Sequence, residues 1–375
     1  MIRQIYMAIE SYFLKFKKKK DILFVVRNRL MLSYVRAIYK RIEQDDRLRL
    51  WICLYKPCDA DDHEMKVLKV KNNPRCISYY LARYIKWDLI VFPDHKPVFR
   101  ADCHKIFVDH SLGSGRTVDG DVYEYGRRAK DRTGNIIYKK IFVASHFIAE
   151  GIKNHYPDIF PYIRVVGNLF IDELMETQKK KTDLFKEKNL DHDRKTIMFA
   201  STWTSDSLIH NYGQELIAKL PELASKYNVI ISAHYNNYYF KYPGCLDWRN
   251  ILGKINMENV YVIEPGTEPY RYLALTDLLI MDITSLGLYF TIFGKPIIFW
   301  NNVNLDCATV NLIDELRKAA CVVGDISNLD TIIDKAILSF DKEKMKALSS
   351  KVSSYQGESE KRYKEEIYQS LLLGH

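Results

Sequence analysis

The chain has 375 residues, 47% hydrophobic and 27% charged, an ordinary globular composition with more length than one hydrophobic core usually serves. Seven cysteines, with no C-x-x-C pair and no His/Cys metal spacing, argue against a zinc or disulfide framework and for reduced thiols in a cytoplasm. The net charge of +9 favours an anionic partner, but no nucleic-acid-binding motif accompanies it, and no run approaches the ~18 apolar residues of a membrane span.

Residues 1–20 hold Arg3, Lys15 and Lys17 to Lys20 against Glu10 alone, and set Ile2, Ile5, Ile9, Tyr12, Phe13 and Phe16 at helical spacing. Two alternatives follow: a basic helix lying on an anionic membrane, or a helix docked on its own protein with a solvated lysine run. The segment lacks the clean apolar core and small-residue cleavage site of a signal peptide, so none is expected. Next come a buried strand at 21–26, a helix at 30–43 and a strand at 48–54, a β-α-β opening. Short β-rich runs at 88–92 and 105–108 precede a strand at 141–144 and a helix at 146–155 that Pro157 ends; 164–166 then runs into Gly167-Asn168. The polar stretch 176–194 marks the likeliest composition boundary. A second cycle starts with strand 196–200, helix 214–227, strands 229–232 and 260–263, and a short helix at 269–275. It closes on strand 277–281, a polar turn, a helix stopped by Gly294-Lys295-Pro296, and strand 297–300; charged amphipathic helices follow from 328.

Strands alternating with helices predict an α/β protein of two Rossmann-like, doubly wound domains facing a cleft, a GT-B-like arrangement. The expected divisions are the basic segment 1–20, a first domain 21–190 for the acceptor, a second domain 191–345 for a nucleotide donor, and C-terminal helices 346–375 that bridge back.

Polar residues recur where strands end, which is where such sheets bind ligands. After 105–108 comes Asp109-His110-Ser111-Leu112-Gly113-Ser114-Gly115-Arg116. Its glycines allow close backbone approach, Arg116 can neutralise phosphate, and His110 titrates in the range of a general base. The third glycine of a dinucleotide fingerprint is missing. In the second half Thr202 follows one strand, His234 ends the next within Ser232-Ala233-His234-Tyr235, and Glu264 ends a third. Asp282, Thr284 and Ser285 open the helix after 277–281 with capping residues, placing free N–H groups where an anion binds. Each has a bland alternative: a loop histidine, a histidine capping its own backbone, or a plain turn. Their recurrence at successive strand ends favours the functional reading.

Together His110, Phe199-Ala200-Ser201-Thr202-Trp203, Ala233-His234, Asp282-Ile283-Thr284-Ser285 and Lys295-Pro296-Ile297-Ile298-Phe299-Trp300 resemble the CDP-glycerol glycerophosphotransferase family, the teichoic-acid-type polyol-phosphate transferases. The likeness covers roughly 100–300. Ser111 stands where that family has glycine, and Ser232-Ala233-His234-Tyr235 lacks its Arg and Pro.

The resemblance implies a GT-B transferase, cytoplasmic and peripheral on the inner face of the cell membrane, taking part in cell-envelope teichoic acid or capsule polymer synthesis. It would move a polyol phosphate from CDP-glycerol or a similar donor to a glycan or polyol-phosphate hydroxyl. His110 and His234 are the expected catalytic pair. Ser111, Gly113, Arg116, Thr202, Glu264, Asp282, Thr284 and Ser285 are the expected donor ligands. No metal or prosthetic group is expected, since the Asp-x-Asp pairs at Asp59/Asp61, Asp119/Asp121 and Asp191/Asp193 fall away from those strand ends; dependence on Mg²⁺ is not legible in sequence. Nucleic acid is not an expected partner. A nucleotide-sugar glycosyltransferase and a non-catalytic membrane-surface module are the alternatives.

Overall fold

The computed structural model describes residues 17–26, 29–54, 75–93, 98–109, 112, 129–203, 205–239, 246–265, 267–301 and 312–373. Short runs of β-branched and aromatic residues form strands buried on both faces, as parallel sheets require. The first sheet contains β1 (Lys20–Val26), β2 (Leu48–Leu54), β3 (Arg75–Ser78), β4 (Leu89–Phe92), β5 (Lys105–Val108), β6 (Lys140–Val143) and β7 (Ile163–Val165). Its order is β3-β2-β1-β4-β5-β6-β7, with every pair parallel. Helices α1 (Arg29–Ile42), α2 (Tyr79–Ala82), α3 (His146–His155), α4 (Leu169–Lys179) and α5 (Lys181–Glu187) belong to this half.

The second sheet contains β8 (Thr196–Ser201), β9 (Asn228–Ala233), β10 (Val260–Val262), β11 (Leu278–Met281), β12 (Ile297–Trp300) and β13 (Cys321–Val323). It is also all parallel, in the order β10-β9-β8-β11-β12-β13. Its helices are α6 (Leu208–Lys226), α7 (Asn236–Tyr239), α8 (Trp248–Leu252), α9 (Leu286–Phe290), α10 (Leu312–Ala319) and α11 (Leu329–Leu338). Two doubly wound parallel sheets are therefore present, as the alternation predicts.

Helices α12 (Lys342–Val352) and α13 (Ser359–Ser370) return to the first half. There Tyr363 meets Phe142 edge-on with ring centroids 5.3 Å apart, Lys140 bonds Glu366 at 2.6 Å, and the Tyr368 hydroxyl donates to Asp45 at 2.6 Å. One apolar core runs from the first sheet through to one face of the second, and a smaller one lies under its other face.

Several boundaries differ from the sequence pattern. Helix α6 begins at Leu208, well before 214, and takes Gly213 inside because Trp248 packs where a side chain would stand. The polar stretch 176–194 is mostly helical, holding the end of α4 and all of α5. Edge strands β3 and β13 carry partly exposed residues without a buried apolar run, so periodicity misses them.

Candidate functional site

In the second sheet the strand order reverses between β8 and β11, the place where open α/β sheets bind ligands. Asp282 lies at the carboxyl end of β11 and is fully buried. One carboxylate oxygen accepts from the Thr202 N–H at 2.8 Å; the other accepts from the Leu208 N–H and the Ser201 hydroxyl, both at 2.8 Å. Burial pushes its carboxyl up to about 6, and these three donors pull the other way. Asp282 was expected among the donor ligands; in the structure its charge is turned inward and clamps the β8–α6 loop to the β11–α9 turn. Ser201 completes the clamp by accepting from the Ile209 N–H at 2.9 Å.

His234 follows β9, which neighbours β8, and its backbone N–H donates to the Ser201 carbonyl at 3.1 Å. Its side chain is exposed. Nδ1 accepts the Asn236 N–H at 3.1 Å, so in the neutral ring the proton sits on Nε2. The capping and functional readings of this histidine are thus compatible, because capping with one nitrogen fixes the other as a donor. The Trp203 ring lies beside it, centroids 6.2 Å apart and inclined by 30°. Asn237, buried, donates its Nδ2 to the Thr202 carbonyl at 2.9 Å and ties the two loops together.

Thr284 is half-buried and Ser285 exposed at the start of α9. The Thr284 hydroxyl caps the Leu286 N–H at 3.4 Å, whereas Ser285 makes no capping bond. The helix expected here is shorter than its pattern suggests: α9 is a single turn, continued by a 3-10 turn (Thr291–Phe293) that ends on Gly294 at φ +55°. Its dipole is correspondingly small, so an anion there would rely on individual N–H and O–H groups. Glu264 is exposed just past β10, the edge strand beside β9. Thr202, His234, Thr284 and Ser285 are thus gathered at adjacent strand ends, with Glu264 at the margin.

In the first domain, His110, Ser111, Gly113 and Arg116 lie outside the described residues. Their neighbours are described. Asp109 is buried at the end of β5 and donates its N–H to the Phe142 carbonyl at 2.9 Å. Leu112 is buried with φ +48°, a left-handed conformation that costs a non-glycine residue about 1–2 kcal/mol. The two domains meet beside Asp109. Tyr34 of α1 and Tyr289 of α9 share a buried hydroxyl–hydroxyl hydrogen bond of 2.8 Å. Burial pushes Tyr289 up to about 12, and the nearby Asp109 carboxylate adds to that rise. Phe170 of α4 stacks on Tyr270 at 4.7 Å, and the Tyr270 hydroxyl donates to Glu173 at 3.2 Å. Asp109, at the end of β5, and Tyr289 of α9 therefore lie close together where the domains meet.

Ser201 was read from sequence only as part of the Phe199–Trp203 motif, without a role of its own, and Asn237, three residues after His234, was not singled out. Of the Asp-x-Asp pairs only Asp191/Asp193 is described; it precedes β8, at the end of the sheet away from these loops, and Asp191 pairs with Arg194 at 3.1 Å. Among the described residues no group of three or more His, Cys, Asp or Glu is placed to hold a metal, and no helix is long and apolar enough to cross a membrane.

The family model for CDP-glycerol:poly(glycerophosphate) glycerophosphotransferase matches residues 7–305. The chain belongs to this family. It is an enzyme of the CDP-glycerol glycerophosphotransferase type, moving glycerol phosphate from a CDP-activated donor. No curated protein sequence matches the chain. Among solved structures, the wall teichoic acid polymerase TagF is similar with a TM-score of 0.66 and 15% identity, over 95% of this chain and 90% of that one. The S. aureus MnaA-UDP co-structure aligns with a TM-score of 0.59 and 15% identity, covering 95% and 98% of the two chains. The UDP-GlcNAc 2-epimerase from Neisseria meningitidis bound to UDP-GlcNAc aligns with a TM-score of 0.57 and 13% identity, covering 94% and 99%. At such identities these likenesses establish the fold, two Rossmann-like domains in a GT-B-like arrangement.

Proposed function

We propose that this glycerophosphotransferase works by direct displacement in the cleft between the sheets, with His110 as general base and His234 facing the donor diphosphate. His110 takes the proton of an acceptor hydroxyl on a glycan or polyol-phosphate chain. The oxygen so freed forms a bond to the glycerol-bearing phosphorus while the P–O bond to CMP breaks, and CMP leaves with that electron pair. His234 donates from Nε2 to the diphosphate as negative charge moves onto the departing CMP. Thr202, Thr284 and Ser285 supply further donors, Ser111, Gly113 and Arg116 approach from the first domain, and Glu264 accepts from the nucleoside. No prosthetic group takes part.

The observation that carries this reading is the fusion of three strand-end loops through Asp282, Ser201 and Asn237 into one bonded unit at the switch point of the second sheet. Such a unit presents its groups without reorganisation when charge moves. A TagF structure soaked with CDPG is among the structures similar to this chain, which supports the choice of donor. We place the enzyme on the cytoplasmic face of the membrane, where cell-envelope polymers such as teichoic acid or capsule begin, with residues 1–20 contributing basic charge.

The test is CMP release from CDP-glycerol, compared with CDP-ribitol and UDP-, GDP- and CMP-sugars, for the parent, His110→Ala and His234→Gln. Loss of 10²–10⁴-fold in kcat for His110→Ala and about 10²-fold for His234→Gln is expected. Full turnover by His110→Ala removes the general-base role, and CMP release only from a CMP-sugar removes the donor assignment.

A further inference from the structure

Helix α6 enters the loop cluster with three consecutive residues. The Leu208 N–H is held by Asp282, the Ile209 N–H by the Ser201 hydroxyl, and the half-buried ring of His210 meets the side chain of Asn237. Asn237 is where the donor-side groups converge. Its backbone N–H donates to the His234 carbonyl at 2.8 Å and its Nδ2 to the Thr202 carbonyl at 2.9 Å. The N–H before it, of Asn236, caps His234 Nδ1 at 3.1 Å. The amide can hold Thr202 in one orientation only, because turned over it would set Oδ1 against the Thr202 carbonyl, two acceptors face to face. In the orientation present Oδ1 is buried, and among the described residues no donor meets it in full hydrogen-bond geometry. An acceptor in that position calls for a donor.

His210 is equipped to supply it. Its Nδ1 accepts from the indole Nε1–H of Trp248 at 3.3 Å, so the neutral ring carries its proton on Nε2. Burial lowers the proton affinity of this ring, which keeps it neutral near pH 7. The contact with Asn237 opposes that fall, as a bond to an acceptor oxygen does and a bond from an amide N–H₂ would not. Trp248 is itself immobilised. It is fully buried, its ring edge packs against Gly213, and it meets the imidazole edge-on with centroids 5.7 Å apart.

We infer that His210 is a positioning residue for the transfer reaction: Trp248 sets its tautomer, its Nε2–H sets the Asn237 amide, and Asn237 sets both Thr202 and the turn that caps His234. His210 touches neither donor nor acceptor and acts only through Asn237. The inference rests on the reading above that puts Thr202 and His234 at the donor diphosphate, and it adds the side chains that hold them there.

Histidine-selective ¹⁵N labelling of the full chain, read by NMR at about pH 7.5, tests the relay without any ligand: His210 and His234 should both show the neutral Nε2–H form. In His210→Phe, which keeps a ring but no polar atom, the His234 signals should move toward a mixture of tautomers. CMP release from CDP-glycerol should then fall about 10–100-fold in kcat, with KM changed less than about threefold, because the loosened groups act on charge that develops in the transition state. His210→Gln, whose amide can accept from Trp248 and donate to Asn237, should return kcat to within about threefold of the parent. The double variant His210→Phe/Asn237→Ala should lose no more than Asn237→Ala alone, since both changes act through one amide. A parent His210 with its proton on Nδ1 overturns the inference, and so does parent-level kcat in His210→Phe or a double variant in which the two losses multiply. If His210→Phe does not fold, the labelled parent and the kcat of His210→Gln still decide. Failure of the parent to release CMP from CDP-glycerol would instead strike the donor reading, with the histidine signals still showing whether His210 sets His234.

Discussion

Replacing Asp282 should break the second domain's loop cluster before it affects chemistry. In Asp282→Ala the Leu208 N–H, which is buried, and the Thr202 N–H, which is partly buried, both lose their acceptor. Each orphaned donor costs about 1–3 kcal/mol. The Ser201 hydroxyl keeps an alternative acceptor in the Thr202 carbonyl at 3.2 Å, so it adds little. Removing a carboxylate that burial disfavours offsets part of the loss, and a net destabilisation of about 2–4 kcal/mol is expected. Asp282→Asn should be no milder. Each carboxylate oxygen faces a backbone N–H, so an amide turned either way sets its own N–H₂ against a donor. Urea unfolding followed by tryptophan fluorescence reads the effect as a lower midpoint at unchanged slope. Folding raises this carboxyl from 3.8 to about 6, so the stability tied to its protonation is fully present below about pH 4 and is lost as pH rises through about 6. The gap between the parent and Asp282→Ala should therefore be wider at pH 5 than at pH 7. An Asn variant that unfolds at the parent's urea concentration yet no longer releases CMP would show the carboxylate serving a ligand, and the clamp argument would fail.

Gly287→Ala places a Cβ 2.3 Å from the Met281 sulfur and 2.7 Å from Leu316 Cδ2, so a loss of about 1–3 kcal/mol from overpacking should appear as a lower Tm. Tyr34→Phe and Tyr289→Phe each remove the hydroxyl–hydroxyl bond, and a double-mutant cycle in urea should give a favourable coupling of about 1 kcal/mol; additivity would mean the hydrogen bond between them contributes nothing. Because an anionic donor next to the cluster further disfavours ionised Asp282, CDP-glycerol binding at pH 6 should take up about 0.4 proton for a one-unit rise. Calorimetry in buffers of different ionisation enthalpy measures this, and uptake that vanishes in His234→Gln would assign the proton to the histidine instead.

Much of this fold was legible because parallel strands buried on both faces must be short apolar runs, and β5, β8, β11 and β12 are such runs bounded by polar turns or proline. Turns that end on glycine were equally readable: Gly294 takes φ +55°, and Lys295 then reaches back to the Thr276 carbonyl at 2.6 Å and to Asp277 at 3.0 Å. The start of α6 was hidden because Asn211-Tyr212-Gly213 looks like a turn, and only the Trp248 ring, far along the chain, explains a glycine inside that helix. The strand-end loops were identified by position, yet the roles within them depend on depth. Nothing local distinguishes Asp282, fully buried, from Ser285, exposed, three residues later. Ser201 and Asn237 work through partners 81 and 35 residues distant, a relation no local pattern contains.

That difference in depth constrains how a diphosphate is held. A carboxylate pointing at the donor would repel it; Asp282 points inward instead, where two backbone N–H groups and a hydroxyl offset part of the cost of burying its charge. The same bonds fix where Thr202 and the α9 turn stand, so in the proposed mechanism the acid acts on the donor through the loops it holds. In the proposed mechanism recognition then falls to exposed groups, foremost His234, whose Nδ1 is occupied by the Asn236 N–H. A histidine capped in this way presents Nε2–H even when neutral, so it can meet a phosphate oxygen above the pH at which the ring loses its charge. In that mechanism the buried acid and the capped imidazole perform complementary tasks, one fixing the frame and the other facing the charge that moves.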